Sequence, residues 1–313
     1  MPGYRTIRRG NRSYTRKGLG VRRPRTLSSR RRRPYTANRR STFRRRRTGM
    51  SAKRILNITT KKKQDNMVVV SNIVAGSGTG GTTYTNTAPI LSGGYTYIMP
   101  WVATARLFLS GTGSETGSPI DDATRTAHEC YMRGLKERIQ LQSNGGAAWQ
   151  WRRICFTLKG DDLTTFQAAN FTWWRAQANG VVRSVQNVAG LSGGETLIDM
   201  LFKGTQSTDW SSYFTAKVDT ARVSLKYDRT RIMQSGNSSG FMRNVSLWHP
   251  MNKNIRYDDD ESGGKYTGNA YSVDSKVGMG DYYVIDIISA GTGATSSDRM
   301  SFDPEATLYW HEK

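Results

Sequence analysis

The first 63 residues of this chain contain no aspartate and no glutamate, although they hold 24 of its 47 lysines and arginines. The other 250 residues therefore carry 47 − 24 = 23 basic residues against all 24 acidic ones, a net charge of −1. Self-repulsion and a shortage of apolar groups exclude an independently folded domain at this end of the chain. We expect residues 1–63 to form a largely disordered basic arm, and residues 64–313 to form one domain with a sizeable core.

Cysteine, histidine and long apolar runs are also scarce. Two cysteines cannot form a disulfide framework, and their spacing does not match a zinc site. His128 and Cys130 lie two residues apart, but a complete metal site there would need carboxylates from elsewhere in the chain. The longest apolar runs, such as 67–70, are too short to span a membrane. The sequence therefore predicts no cofactor, no metal, no membrane partner and no catalytic constellation.

The arm has the composition of a phosphate-binding segment. Arginine outnumbers lysine by 18 to one before residue 50, and guanidinium groups pair with phosphate oxygens through two hydrogen bonds. Aromatic residues between the clusters, Tyr4, Tyr14, Tyr35 and Phe43, offer rings on which unpaired bases can stack. We expect nucleic-acid binding without sequence specificity, and the same clusters are candidate signals for nuclear-import receptors.

The residues predicted to bind nucleic acid are the clustered basic ones. They are Arg8, Arg9, Arg22, Arg23, Arg30, Arg31, Arg32, Arg33, Arg39, Arg40, Arg44, Arg45, Arg46, Arg47, Lys61, Lys62 and Lys63.

The body of the chain has the period of β-strands. β-Branched and aromatic residues are frequent and turn residues separate the runs, which favours strands over helices. The strand predicted at 149–159 alternates: one face carries Trp149, Trp151, Arg153 and Cys155, and the other carries Ile154, Phe156 and Leu158. Eight strands with long connections predict an all-β fold, a single jelly-roll β-sandwich. The predicted strands are 66–75, 96–109, 131–142, 149–159, 220–233, 241–256, 282–290 and 305–311.

Two short helical insertions are predicted between the fourth and fifth of these strands. In 161–178, apolar residues recur at helical spacing behind an aspartate, and in 195–203 they form a second stripe that Gly204 could cap. Both are interpreted as packing elements.

Two further motifs have competing interpretations. The run from Gly76 to Gly81 has the spacing of a dinucleotide-binding loop, but the residues after it form helices poorly, so a surface loop is favoured. The acidic run from Asp258 to Glu261 could bind calcium, contact a neighbouring molecule or lie in solvent, and the sequence does not choose among these.

The order of several stretches resembles one viral family across essentially the whole chain. They are RRGNRSYTRKG from Arg8, MRGLKERIQLQ at 132–142, WQWRRICF at 149–156, WHPMNKNIRYDDDESGG at 248–264, DYYVIDII at 281–288 and ATLYWHEK at 306–313. In these the chain resembles the coat proteins of genomoviruses, the gemycircularvirus group. The resemblance implies a jelly-roll capsid protein of the virion, a T=1 icosahedral shell, packaging of circular single-stranded DNA and entry into the host nucleus. The Cys and His pattern near the arm of the related geminivirus coat proteins is absent here.

Charge arithmetic fits such a shell. About 60 copies would present about 60 × 24, roughly 1,400, positive charges, which suits a genome of order two thousand nucleotides. One alternative is a non-capsid nucleic-acid-binding protein, such as a nuclear shuttle or a chromatin-like protein, but these usually spread positive charge over the folded surface. Another is an enzyme or lectin on the same scaffold, which would leave the arm unexplained.

Overall fold

A computed structural model describes residues 49–110, 115–178, 180–263 and 265–313 of the protein. The fold is mostly β, with 49% of residues in strands and 7% in helices, which confirms the predicted all-β class. The elements are α1 (Ala52–Thr59), β1 (Lys61–Met67), β2 (Val69–Ile73), β3 (Gly80–Thr85), β4 (Ile90–Ser92), β5 (Thr96–Val102), β6 (Leu109–Ser110), β7 (Glu115–Thr116), β8 (Glu129–Ser143), β9 (Trp149–Leu158), β10 (Arg175–Gln177), β11 (Gly180–Val185), α2 (Ser192–Leu201), β12 (Ser224–Met233), β13 (Met242–Arg256), β14 (Asp260–Ser262), β15 (Lys265–Thr267), β16 (Asp281–Ala290) and β17 (Arg299–Glu312).

Two antiparallel sheets contain the longest strands. In the first sheet the order is β1-β17-β8-β13, and β4 also pairs with β17. In the second sheet the order is β12-β9-β16-β5. A smaller sheet, β10-β11-β2-β3, contains a parallel pairing between β11 and β2. In the described part of the chain, no helix is long and apolar enough to cross a membrane.

The core between the two large sheets follows the period-two pattern of the sequence. Trp149, Trp151 and Cys155 of β9 are buried there among side chains of the first sheet, such as Leu135 and Leu141. Successive side chains of a strand point to opposite faces, so the predicted alternation in β9 is confirmed. Cys155 is a core residue, as expected, and burial raises the pKa of its thiol.

A second apolar layer covers the other face of the second sheet. Ile154 and Phe156 pack there against residues of 163–218, and the Phe156 ring stacks on Tyr283 at 5.0 Å between centroids. The helix predicted at 195–203 is confirmed as α2, although it ends at Leu201 and its C-cap residue is Phe202 and not a glycine. Leu197, Ile198 and Leu201 form its buried stripe.

The prediction of a helix at 161–178 is wrong. Its aromatic residues are buried by tertiary contacts that need an irregular backbone: Phe171 packs edge-on against Trp173, whose indole donates a hydrogen bond to the Phe166 carbonyl oxygen at 2.9 Å. Ala168 and Phe171 form an isolated β-bridge, and the segment leads into β10. Helical spacing is only a weak preference, and aromatic packing overrides it here.

The folded body begins earlier than the charge distribution predicts. One compact unit extends from Met50 to Lys313, so α1 and the start of β1 lie inside the segment 1–63 that was assigned to a largely disordered arm. Ser51 caps α1 by accepting a hydrogen bond from the Arg54 amide. Charge alone misses this boundary, because Lys63, Asp65 and Met67 alternate inward along β1 while their neighbours are exposed.

A buried carboxyl group ties the loop before β16 to the body. Asp281 accepts hydrogen bonds from the Ser272 amide at 3.0 Å, the Ser272 hydroxyl at 2.9 Å and the Thr104 hydroxyl at 3.3 Å. Burial raises the pKa of Asp281 to about 6 from 3.8, because it outweighs these hydrogen bonds.

Replacement of Asp281 by asparagine should remove a pH dependence of stability. The folded chain holds the Asp281 proton more tightly than the unfolded chain, so this stabilisation is complete below about pH 4 and is lost as the pH rises through about 6. Between pH 4 and pH 7, the free energy of unfolding of the parent should therefore fall by about 2 to 3 kcal/mol relative to that of Asp281→Asn. Urea unfolding at both pH values measures this, with the exposed Asp260→Asn as control. An equal difference at the two pH values would contradict it.

Candidate nucleic-acid interface

The structure describes three of the seventeen predicted nucleic-acid-binding residues. Arg8 to Arg47 lie outside the described residues, whereas Lys61, Lys62 and Lys63 lie in β1. Lys63 is buried, and its ammonium group lies 3.2 Å from Glu312 Oε2 and donates to the Thr124 carbonyl oxygen at 2.6 Å. Lys63 was predicted to bind nucleic acid, but its ammonium group is buried and already pairs with a carboxylate of the body. Lys61 and Lys62 are exposed.

Lys62 belongs to a basic surface that the sequence analysis did not identify. One face of the first sheet packs on the core, and its opposite face is open to solvent. On this open face the strand register places Lys62 of β1 opposite His311 of β17. Lys136 of β8 lies opposite Trp248 of β13, and Arg133 lies on the same face. We call the hollow that these residues line the outer-face cavity.

Two aromatic rings form the walls of the outer-face cavity. Trp248 is 48% exposed, which is unusual for so large an apolar side chain. Its ring centroid lies 5.9 Å from that of Tyr309, with an interplanar angle of 57°. The two rings therefore stand obliquely to each other and leave space between them and the basic side chains. The cavity has a volume of about 320 Å³.

Gly134 is needed for this geometry. It pairs with Tyr309 on one side and with Pro250 on the other, in a stretch where both neighbouring strands shift register. A Cβ atom at Gly134 would lie 2.7 Å from Trp248 Cζ2 and 2.6 Å from the His249 carbonyl oxygen, and its φ of +155° also disfavours other residues. The absent side chain lets the indole lie close over β8.

The electrostatics of the cavity are positive. Lys62, Arg133 and Lys136 line it, and none of its described lining residues is acidic. Partial burial lowers the pKa of His311, and the nearby charges of Arg133 and Lys62 lower it further. Arg133 donates a hydrogen bond to Asn252 Oδ1, which holds the guanidinium group over this face. Cations beside exposed aromatic rings are the chemistry that proteins use to bind single-stranded nucleic acid.

The acidic run has a structural role at one of its residues. Asp259 is fully buried at its side chain and accepts hydrogen bonds from Arg125 at 2.5 and 2.7 Å and from the Asn269 amide at 3.1 Å. Burial raises the pKa of Asp259, but hydrogen bonds and charge from Arg125 outweigh it and lower the pKa. His128 also contacts this carboxylate at 2.9 Å. Asp259 thus anchors the β14–β15 hairpin, while Asp258, Asp260 and Glu261 are exposed.

The glycine run and the remaining histidine also have structural interpretations. After Gly76, which has a φ of +82°, the chain enters strand β3 and no helix begins there. A dinucleotide-binding loop needs a helix N-terminus at that point, so the surface-loop interpretation is favoured. His249 is buried and packs edge-on against Tyr227, with 5.1 Å between ring centroids.

No protein-family model matches this chain, and no curated protein matches it.

Proposed function

We propose that this protein is a viral coat protein that assembles into a closed icosahedral shell and packages circular single-stranded DNA. The observation that carries the proposal is the separation of charge, with 24 cations and no acid in residues 1–63 and a net charge of −1 in the remainder. A neutral body suits a shell wall, and a concentrated basic arm suits the enclosed nucleic acid. A chromatin-like or nuclear-shuttle protein is the alternative, but its folded surface would be expected to carry the excess charge.

The strand order supports a jelly roll for the folded body. Eight strands of the two large sheets pair in nested fashion: β4 with β17, β5 with β16, β8 with β13 and β9 with β12. The first therefore pairs with the last, the second with the seventh, the third with the sixth and the fourth with the fifth. Such nesting arises when one long antiparallel hairpin rolls into two sheets, the architecture of many viral shell domains. In this arrangement β1 extends the first sheet beyond β17.

The shell we propose contains about 60 copies in T=1 symmetry, since closed symmetric assemblies are the usual outcome when one chain binds copies of itself. Residues 1–49, which precede the compact unit, contain 19 basic residues, so about 60 copies would supply roughly 1,100 positive charges, enough to neutralise about half of a genome of order two thousand nucleotides. The arginine clusters would also direct the protein into the host nucleus. Localisation of a fluorescent reporter fused to residues 22–63 tests the nuclear role.

Negative-stain microscopy beside nuclease protection on the same fractions tests the proposal. Closed particles about 20 nm across that contain nuclease-resistant single-stranded DNA are expected, because about 60 chains of this size fill a shell of that diameter. Monomers or dimers that only coat added DNA, with all of it open to nuclease, would overturn the shell and favour the chromatin-like alternative.

A further inference from the structure

We propose that the outer-face cavity is a second nucleic-acid site, which holds one unpaired nucleotide against Trp248 and Tyr309. This inference rests on the proposed packaging function and adds to it, because the site lies in the folded body and not in the arm. Its ligand is a nucleotide of a single strand, recognised by its base ring and its phosphate.

The aromatic walls fit an unpaired base. A base in a duplex is stacked on both faces, whereas an unpaired base has a face free for protein rings. Trp248 presents its indole from an edge strand of the sheet, half exposed, and Tyr309 lies obliquely beside it at 5.9 Å. Neither ring is needed to fill the core, since both lie on the solvent face of the sheet. Stacking tolerates any base, which agrees with packaging of a whole genome.

The charged rim fits the phosphates on either side of that base. Lys62, Arg133 and Lys136 reach the cavity from two different strands, and no acidic residue lines it in the described part of the chain. A hydrogen bond to Asn252 orients Arg133. The guanidinium group is therefore held in a defined position, from which it can donate two hydrogen bonds to one phosphate. The volume of about 320 Å³ lies at the small end of the range for ligand pockets, as a single nucleotide requires.

The site also includes a residue that is close in sequence to the arginine clusters. Lys62 is part of β1, the first strand after the arginine clusters, and β1 forms the edge of the first sheet. The Lys62 side chain is exposed along this edge strand.

Photo-crosslinking of the full-length protein tests the inference. Short single-stranded oligonucleotides that carry 5-iodouracil, made as DNA and as RNA, are irradiated with the protein, and the modified peptides are identified by mass spectrometry. We expect crosslinks at Trp248 or Tyr309 in addition to those in the arm. Trp248→Leu should reduce crosslinking to the Tyr309 peptide at least fivefold, whereas Trp248→Phe should keep most of it because a ring remains. Arg229→Ala, which removes an exposed cation from β12 on the other sheet, is the matched control.

The outcomes separate this inference from the packaging function. Crosslinks confined to residues 1–49, or a Trp248→Leu chain that crosslinks at Tyr309 like the parent, would overturn the nucleotide site and leave packaging by the arm intact. No crosslink to any peptide would contradict both. A clear preference for the DNA or the RNA oligonucleotide in crosslinking at Trp248 identifies which type of single-stranded nucleic acid the cavity binds.

Discussion

Replacement of Asp286 by alanine is expected to lower the free energy of unfolding by about 3 to 5 kcal/mol, the usual cost of breaking a buried ion pair. Asp286 of β16 accepts two hydrogen bonds from Arg153, each 2.7 Å, and one from Arg183 at 2.8 Å. The Trp151 indole donates a further one at 2.7 Å. Without this carboxylate, two guanidinium groups would remain in the core with half of their counter-charge missing.

The network matters because it joins three sheets. Arg153 lies in the second sheet and donates to Glu137 of β8 in the first sheet. Arg183 lies in β11 of the smaller sheet and lies 3.5 Å from the same carboxylate. Burial raises the pKa of Glu137, but the charge of Arg153 and contacts with His249 and Arg183 lower it to about 2. The carboxylates of Glu137 and Asp286 thus neutralise the charges of the two buried guanidinium groups between the sheets.

Urea and thermal unfolding of two variants and one control measure this effect. Asp286→Asn removes the charge and replaces one acceptor oxygen by an NH2 donor, but it keeps the other acceptor oxygen, so its loss of stability should be smaller than that of Asp286→Ala, which removes both oxygens. Arg222→Ala removes the exposed ion pair with Asp219, and such pairs contribute about 0 to 1 kcal/mol. If Asp286→Ala cost no more than Arg222→Ala, the network would not hold the sheets together.

The sequence predicts the apolar members of this part of the core but not its buried ion pairs. Trp149, Trp151 and Cys155 are apolar on one face of β9, so period-two alternation predicted their burial. In β8, Leu135, Ile139 and Leu141 share their inward face with Glu137. A lone acid in an apolar stripe disturbs the pattern, and its partners come from strands distant in sequence. No local rule identifies Arg153 or Arg183 as those partners.

The outer-face cavity was unpredictable for a related reason. Lys62, Lys136, Trp248 and Tyr309 are spread over most of the chain, and each is ordinary in its own strand. Only the order β1-β17-β8-β13 and the register shift near Gly134 bring them together. The prediction that the arm binds nucleic acid, by contrast, needs only the composition of residues 1–63, because their charge is a local property of the sequence.

Two truncations should separate the arm, which we propose binds nucleic acid, from the folded body. A chain that starts at Met50 lacks 19 of the 47 basic residues, so its affinity for single-stranded DNA near physiological salt should fall at least about 100-fold. Its stability should stay close to that of the parent, because the compact unit begins at Met50. Filter binding over a range of salt concentrations and urea unfolding measure the two quantities. A Met50 chain that still copurifies with DNA at moderate salt would contradict the role of the arm.

A chain that starts at Gln64 should lose stability as well, although it lacks only fourteen further residues. It removes Lys63, whose ammonium group neutralises the buried Glu312 at 3.2 Å, and it shortens the pairing of β1 with β17. Glu312 would keep its hydrogen bonds from Thr126 and Trp310 but lose its only cation among the described contacts, at a cost of about 3 to 5 kcal/mol. Equal stability of the Met50 and Gln64 chains would show that β1 belongs to the arm. A Gln64 chain that is less stable than the Met50 chain would place Lys63 in the body, where its charge stabilises the last strand.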